Sequence, residues 1–290
     1  MNAWLTRTHS LLLWSNDNVR WVIKKKTIDL KSLNHSIKKR KLIQMKNWVW
    51  NWSFVELMLY SIILNIFVFI LSLAFGKLFQ IRFSQNKAYD LGKTPLSRVE
   101  IILSTMTVLI NTGVLIAGWY LWKYNLIQIR EDNYVLPIFL DGLILFLARD
   151  VCMYFFHRVA HIKILFNLIH TTHHEFKNPT PITLFVLNPF ESIGFGLLWL
   201  ILLCLYSSSW YGMILYLNLN TLFGLIGHLG VEPFPSNWLR LPLLSNITTS
   251  TFHILHHQNL DYNFGFYTTI WDRLFKTIHP NYKSSFEKIA

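Results

Sequence analysis

The chain reads His157-Arg158-Val159-Ala160-His161, then, after eight residues, His170-Thr171-Thr172-His173-His174. On a helix, His157 and His161 lie one turn apart on the same face, and His170, His173 and His174 share one side. Far downstream His253, His256 and His257 repeat the second spacing, with His228 alone between them. A single histidine on an apolar face is ordinarily a core residue with a satisfied hydrogen bond. Three boxes holding eight of the chain's 12 histidines are different. Burial and like charge both disfavour protonation, so such a cluster without a metal would be electrostatically costly. Imidazole suits zinc, copper, iron and nickel. Eight ligands, with His228 a ninth, are too many for one ion, so two metals are expected. His9, His35 and His279 stand apart and are expected to be non-ligands.

The surrounding composition says where such a site sits. Of 290 residues 52% are hydrophobic and only 14% charged, against about 25% charged in ordinary soluble domains. The net charge of +12 is concentrated in residues 1–50, where 11 Lys and Arg face Asp17 and Asp29. That segment reads as a membrane-adjacent tail drawn to anionic lipid; no nucleic-acid partner is expected. Cys152 and Cys204 offer neither a disulfide framework nor a CxxC site. The apolar run around Leu11–Trp14 is too short for a convincing signal peptide.

Apolar runs cover 54–75, 101–122 and 135–156, the first long enough to span a bilayer as a helix. Residues 77–99 read as a polar loop. The third run carries Asp141, Arg149 and Asp150, charges that are costly at membrane depth and face a protein interior or a watery cavity. After Asn178-Pro179-Thr180-Pro181, runs at 185–206 and 210–227 form a hairpin about Ser207-Ser208-Ser209. A hairpin returns the chain to the face it left, which lets His228 and the third box meet the first two. The expected fold is an all-α integral membrane protein. It has four to five transmembrane or re-entrant helices under a histidine-rich helical cap, with a basic segment at 1–50 and the membrane-embedded domain at 51–290. Positive charge places residues 1–50 in the cytoplasm; three full crossings would then put the boxes on the other side.

The three boxes in this order resemble those of the fatty acid hydroxylase/sterol desaturase superfamily. Asp150-Val151-Cys152-Met153-Tyr154-Phe155-Phe156-His157-Arg158 looks like that family's first-box helix, and Asn188-Pro189-Phe190-Glu191 the start of its hairpin. Gly227-His228 resembles a further family histidine. Asp261-Tyr262-Asn263-Phe264-Gly265 and Trp271-Asp272-Arg273 are similar to the ending of sterol C-5 desaturases. The likeness covers about residues 51–280. It implies a membrane lipid hydroxylase or desaturase with two iron ions and a histidine cluster on the cytoplasmic face. It also implies dioxygen as oxidant and electrons from a separate carrier such as cytochrome b5 or a ferredoxin. Sterol-like and fatty-acyl substrates both remain open.

Other chemistries fit less well. A zinc protease of the H-E-x-x-H type needs Glu where Arg158 stands. A membrane cytochrome needs facing histidine pairs within spans, whereas these boxes lie beyond the apolar runs. A metal-ion or proton transporter using the histidine cluster is the alternative from outside enzymology. Asp150, Asp261, Asn263 and Asp272 lie near the boxes and are candidates to hydrogen-bond ligand rings. Asp150 reads equally as an Arg149 network, and Asp272 as a salt bridge to Arg273. The aromatic flanks Tyr154, Phe155, Phe156, Phe264, Phe266 and Tyr267 suit an interfacial belt or a lipid path.

Overall fold

The computed structural model describes residues 48–89, 96–131 and 134–290. The expectations for the basic segment, His9 and His35 included, fall on 1–47 and lie outside the described residues. Residues 52–290 form one compact unit.

Two helices open that unit, and the same device starts both. In α1, Phe54–Arg82, Ser53 accepts from the Glu56 amide while the Glu56 carboxylate accepts from the Ser53 amide. Ser97 and Glu100 repeat the exchange at the start of α2, Arg98–Lys123. Each reciprocal pair satisfies orphan amides of the first turn. α1 continues through residues 77–82, which the sequence reads as loop; Lys77 and Arg82 prolong the helix beyond its apolar stretch. Both helices are long and apolar enough to cross a membrane, and only 17% and 22% of their apolar windows are buried within the protein. Phe67, Ile70 and Leu78 of α1 and Ile101, Ile102 and Leu109 of α2 are exposed, a surface far larger than soluble proteins leave to water. Among the residues these helices bury, small or polar ones are prominent: Ser61, Ser72 and Gly76, then Ser104, Thr107 and Thr112, beside Leu57, Val108, Trp119 and Trp122. Small residues at helix contacts are how helices pack within lipid, where apolar side chains gain nothing by turning inward.

The two-residue strand β1, Ile129–Arg130, leads to α3, Val135–Ala160. The hairpin follows as α6, Pro189–Leu205, and α7, Trp210–Gly227, with β2, Ser208–Ser209, at its turn pairing in parallel with β1. Asp141 locks this end: its two oxygens accept from Arg130 Nη2 (2.7 and 2.8 Å), and they also accept from the Tyr206 hydroxyl (2.7 Å) and the Ser209 amide (2.8 Å). Glycines permit the close crossings. A Cβ on Gly212 would lie 2.3 Å from Asp141 Cβ, and one on Gly196 2.3 Å from Val114.

The other end of the bundle gathers the boxes. From α3 the chain turns through α4, Lys163–Leu165, a wider π turn at Phe166–His170, and α5, Thr171–His174. Beyond α7 come α8, Ser250–Gln258, then α9, Ile270–Leu274, and α10, Tyr282–Ile289. Asn86, just past α1, meets Glu232 at this end: its carbonyl accepts from the Glu232 amide at 2.9 Å. Since β1 follows α2 at the hairpin-turn end, α1, α2 and α3 alternate in direction. Phe54 and the histidines therefore lie at opposite ends of the bundle.

Candidate metal centre

Three boxes become two groups. His157, His161, His170, His174 and His256 form one, and His173, His228, His253 and His257 the other; within each, the ligand nitrogens lie within 4.8 Å of one another. Two nitrogens on opposite sides of one ion, each about 2.1 Å from it, are about 4.2 Å apart, so each group is near the size of one coordination sphere. The boxes interleave. The second sends His170 and His174 to the five-histidine group and His173 to the other. The third sends His256 one way and His253 and His257 the other. The groups adjoin, with the His174 and His257 ring centres 4.7 Å apart.

Helix geometry makes the division. Consecutive residues on a helix point about 100° apart, so His173 and His174 cannot serve the same point, while His170 and His174, a turn apart, can. The π turn ending at His170 shifts that residue relative to α5, a use typical of such turns at functional sites. On α8 the same logic pairs His253 with His257, whose Nε2 atoms are 3.1 Å apart. The Nε2 atoms of His157 and His170 are 3.0 Å apart, the separation of two neighbours at right angles about an ion roughly 2.1 Å from each.

Four rings are oriented by what their other nitrogen touches. His157 Nδ1 meets the Phe264 carbonyl at 2.8 Å, His256 Nδ1 the Tyr262 carbonyl at 2.7 Å, and His228 Nδ1 the Gly224 carbonyl at 2.8 Å. His170 Nδ1 meets Glu191 Oε1 at 2.8 Å. Each acceptor holds the proton on Nδ1 and leaves Nε2 bare toward the group centre. The nitrogens of the groups include buried atoms with no partner in the protein: His161 Nε2, His228 Nε2, His256 Nε2 and His173 Nδ1 among them. Such orphans are rare in native interiors. Burial, reinforced by repulsion between neighbouring rings, holds His161, His170, His173, His253, His256 and His257 below the ordinary imidazole range. The same causes push His174 to about 3, and burial pushes His228 to about 4. Neutral rings are what a cation requires as ligands. Orphaned nitrogens, neutral rings and spacing together fit two ions, with no carboxylate or thiolate in either set.

The acidic candidates lie elsewhere. Asp150 touches no imidazole and no Arg149: its oxygens accept from the Tyr267 and Thr268 amides, the Thr268 hydroxyl and the Trp271 indole. Asp272 makes no pair with Arg273. It accepts from the Phe264 amide (2.8 Å), the Gly265 amide (2.7 Å) and the Thr277 hydroxyl (2.7 Å). Because the Phe264 carbonyl receives His157, Asp272 acts on that ring at one remove. Asn263, at φ 60°, joins the Phe252 carbonyl to the His279 amide. Asp261 is exposed, and its amide donates to Asn259. His279 belongs to neither group. Half of the aromatic flanks are no interfacial belt: Tyr154, Phe264 and Tyr267 are buried, and Phe264 packs edge-on against His157 and His161, whereas Phe155 is exposed and Phe156 and Phe266 are half-buried.

Two buried carboxylates escaped the sequence reading. Glu191 was visible only as part of the hairpin's opening, although a lone acid in the first turn of an apolar helix is a signal. Glu232, fully buried, accepts from the Thr251 amide (2.9 Å) and hydroxyl (2.7 Å), anchoring the start of α8.

The Fatty acid hydroxylase family matches residues 142–277, a span that contains all nine grouped histidines. The chain is similar to the Delta(7)-sterol 5(6)-desaturase of Leptosphaeria maculans, 28% identical over 125 residues, 43% of this chain and 33% of that protein. The lathosterol oxidase of Rattus norvegicus is 31% identical over 146 residues, 48% of this chain and 44% of the relative. The very-long-chain aldehyde decarbonylase GL1-1 of Oryza sativa subsp. japonica is 30% identical over 138 residues, 45% of this chain and 22% of the relative. The chain thus spans less than half the length of these curated relatives. No solved structure matches it.

Proposed function

We propose, from the premise that the chain belongs to the fatty acid hydroxylase/sterol desaturase superfamily, that it is a dioxygen-dependent di-iron enzyme of the membrane. It hydroxylates or desaturates a C–H bond of a sterol-like or fatty-acyl lipid. The observation that supports this best is the five-plus-four division of nine imidazoles, most of them buried, at the end of an apolar bundle. Bound iron would supply redox chemistry able to oxidise an unactivated C–H bond with dioxygen. The protein's own residues do the rest. Glu191 and the carbonyls of Phe264, Tyr262 and Gly224 keep protons on the outward ring nitrogens. Asp272 and Glu232 fix the segments that carry those carbonyls and α8. Phe264, packed on the rings, excludes water.

A substrate reaching this place comes from the bilayer, which favours lipids. The related proteins' names point to oxidation of sterols and of long-chain aldehydes, so the choice of product rests with the substrate's placement. Electrons come from a separate carrier such as cytochrome b5 or a ferredoxin. The proposed architecture has four to five transmembrane or re-entrant helices, with the histidine cluster facing the cytoplasm. Because α1, α2 and α3 alternate, Phe54 and the cluster lie on opposite faces of the lipid if all three helices cross it.

Reconstitution with ferrous iron, a reductase system, dioxygen and lipid extract tests the reading. Lipid-linked oxygen consumption, about two irons per chain and loss of turnover in His173→Ala and His256→Ala are expected. Undiminished turnover under strict anaerobiosis, or in both variants, would refute it. A transporter would instead move metal ions or protons across vesicles without consuming oxygen.

A further inference from the structure

Arg149 is a buried charge that the histidine groups leave unused. It lies on α3 eight residues before His157, about 12 Å along the helix from that ligand and on the side of the apolar helices. It is only 5% exposed. Its Nη2 donates to the Phe195 carbonyl of α6 at 2.9 Å, while Nε and Nη1 have no partner. Asp150, the acid beside it in sequence, is fully engaged elsewhere. An arginine cannot escape by losing its proton, and an ionisable group buried among apolar helices marks a functional site by default.

Polar groups lie around Arg149. Tyr267, whose amide donates to the neighbouring Asp150, has its hydroxyl 3.0 Å from that of Tyr216. Tyr267 gives its proton to Asn220 Oδ1 at 2.6 Å, so Tyr216 is the donor to Tyr267 and keeps an oxygen lone pair free. Tyr216, Asn220, Gly224 and His228 recur every four residues and so share one face of α7. That face leads from the Arg149 level to the four-histidine group. Near the top, Phe223, Gly224 and Gly227 line a small cavity that also touches His228 and His253.

We propose that Arg149 receives the oxygen-bearing end of a long-chain lipid, a carboxylate or a carbonyl, while the chain runs along this face of α7 toward the histidines. A guanidinium with unmet N–H donors takes an anionic or strongly polarised oxygen in preference to a plain hydroxyl. The proposal rests on the lipid-oxidation reading and selects its acyl alternative. It makes Arg149 a substrate-binding residue set roughly 12 Å from the nearest α3 ligand.

The test is binding of the fluorescent fatty acid cis-parinaric acid to the purified full chain in detergent, before and after chelation of metal. Arg149→Met is expected to weaken binding at least tenfold with metal content unchanged, and Arg149→Lys to weaken it less. On the wild type, oleic acid should displace the probe at least tenfold better than oleyl alcohol, cholesterol or octadecane. Equal affinity in wild type and Arg149→Met overturns the proposal. If Arg149→Met does not fold, the wild-type series decides alone, and equal displacement by oleic acid and octadecane overturns it. Arginine-dependent binding that survives in a protein lacking iron would stand while the oxygenase reading fell.

Discussion

Glu191 Oε1 accepts the Nδ1 proton of His170 at 2.8 Å, and both side chains are almost fully buried. The contact joins the first turn of α6 to the five-histidine group. It sets which nitrogen of His170 faces the ion and makes that nitrogen a better donor. Glu191→Gln is expected to lower metal affinity of that group about 10–100-fold and to leave the four-histidine group loaded. Metal titration followed by spectroscopy distinguishes the two. Equal loss from both groups would show that Glu191 acts on the fold as a whole.

The division of ligands gives a sharper expectation for the histidines themselves. His173→Ala removes one of four donors and His256→Ala one of five. Each should bring metal content from about two toward one per chain, with the deficit in different groups. His279→Ala should keep full metal, since that ring lies outside both groups.

Asp272 supports His157 through the Phe264 peptide. Replacing it by Ala strands the buried amides of Phe264 and Gly265, at about 1–3 kcal/mol each. Asp272→Ala should therefore melt well below the wild type and bind metal weakly in the five-histidine group. Arg273→Ala should change little by the same melting assay, because Arg273 donates outward to Thr269 and Ser245. Gly265→Ala should match Asp272→Ala, since its Cβ would lie 2.3 Å from the Thr268 carbonyl oxygen.

Acid should act in two opposed ways on the metal-free protein. The histidines, His174 at about 3 and His228 at about 4 against an ordinary 6.5, take protons more readily unfolded than folded. Their contribution is intact above pH 6.5 and is lost as pH falls toward the folded values. Glu232 runs the other way. Burial raises it from 4.5 to about 7, so the folded state holds its proton longer. Its contribution is fullest below pH 4.5 and is lost as pH rises through 7. Melting curves in detergent should show the wild type weakening below pH 6.5. The stability difference between wild type and Glu232→Gln should fall as pH rises from 4.5 to 7; a constant difference would mean Glu232 does not titrate there.

Much of this site was legible because metal chemistry constrains spacing. The boxes offered eight candidate ligands, with His228 a ninth, and an expectation of two ions; the structure gathers these nine rings into two groups. Which ring joins which group was not legible, because it depends on helix azimuth and on a π turn at Phe166–His170 that no residue pattern marks. Asp272 and Arg273 illustrate a related loss. Adjacent opposite charges suggest a pair, yet on a five-residue helix they diverge, and the acid is captured by amides of a preceding loop. The helices followed hydrophobicity well, except that α1 outruns its apolar stretch by a turn or more because Lys77 and Arg82 are good helix formers.

The interleaving of the boxes also orders events in time. The five-histidine group lacks His256, and the four-histidine group lacks His253 and His257, until α8 has been synthesised. Box two supplies both groups and completes neither. A chain that ends in the hairpin therefore carries four of the five rings of one group but only His173 of the other, so the four-histidine group depends on the last-made part of the site.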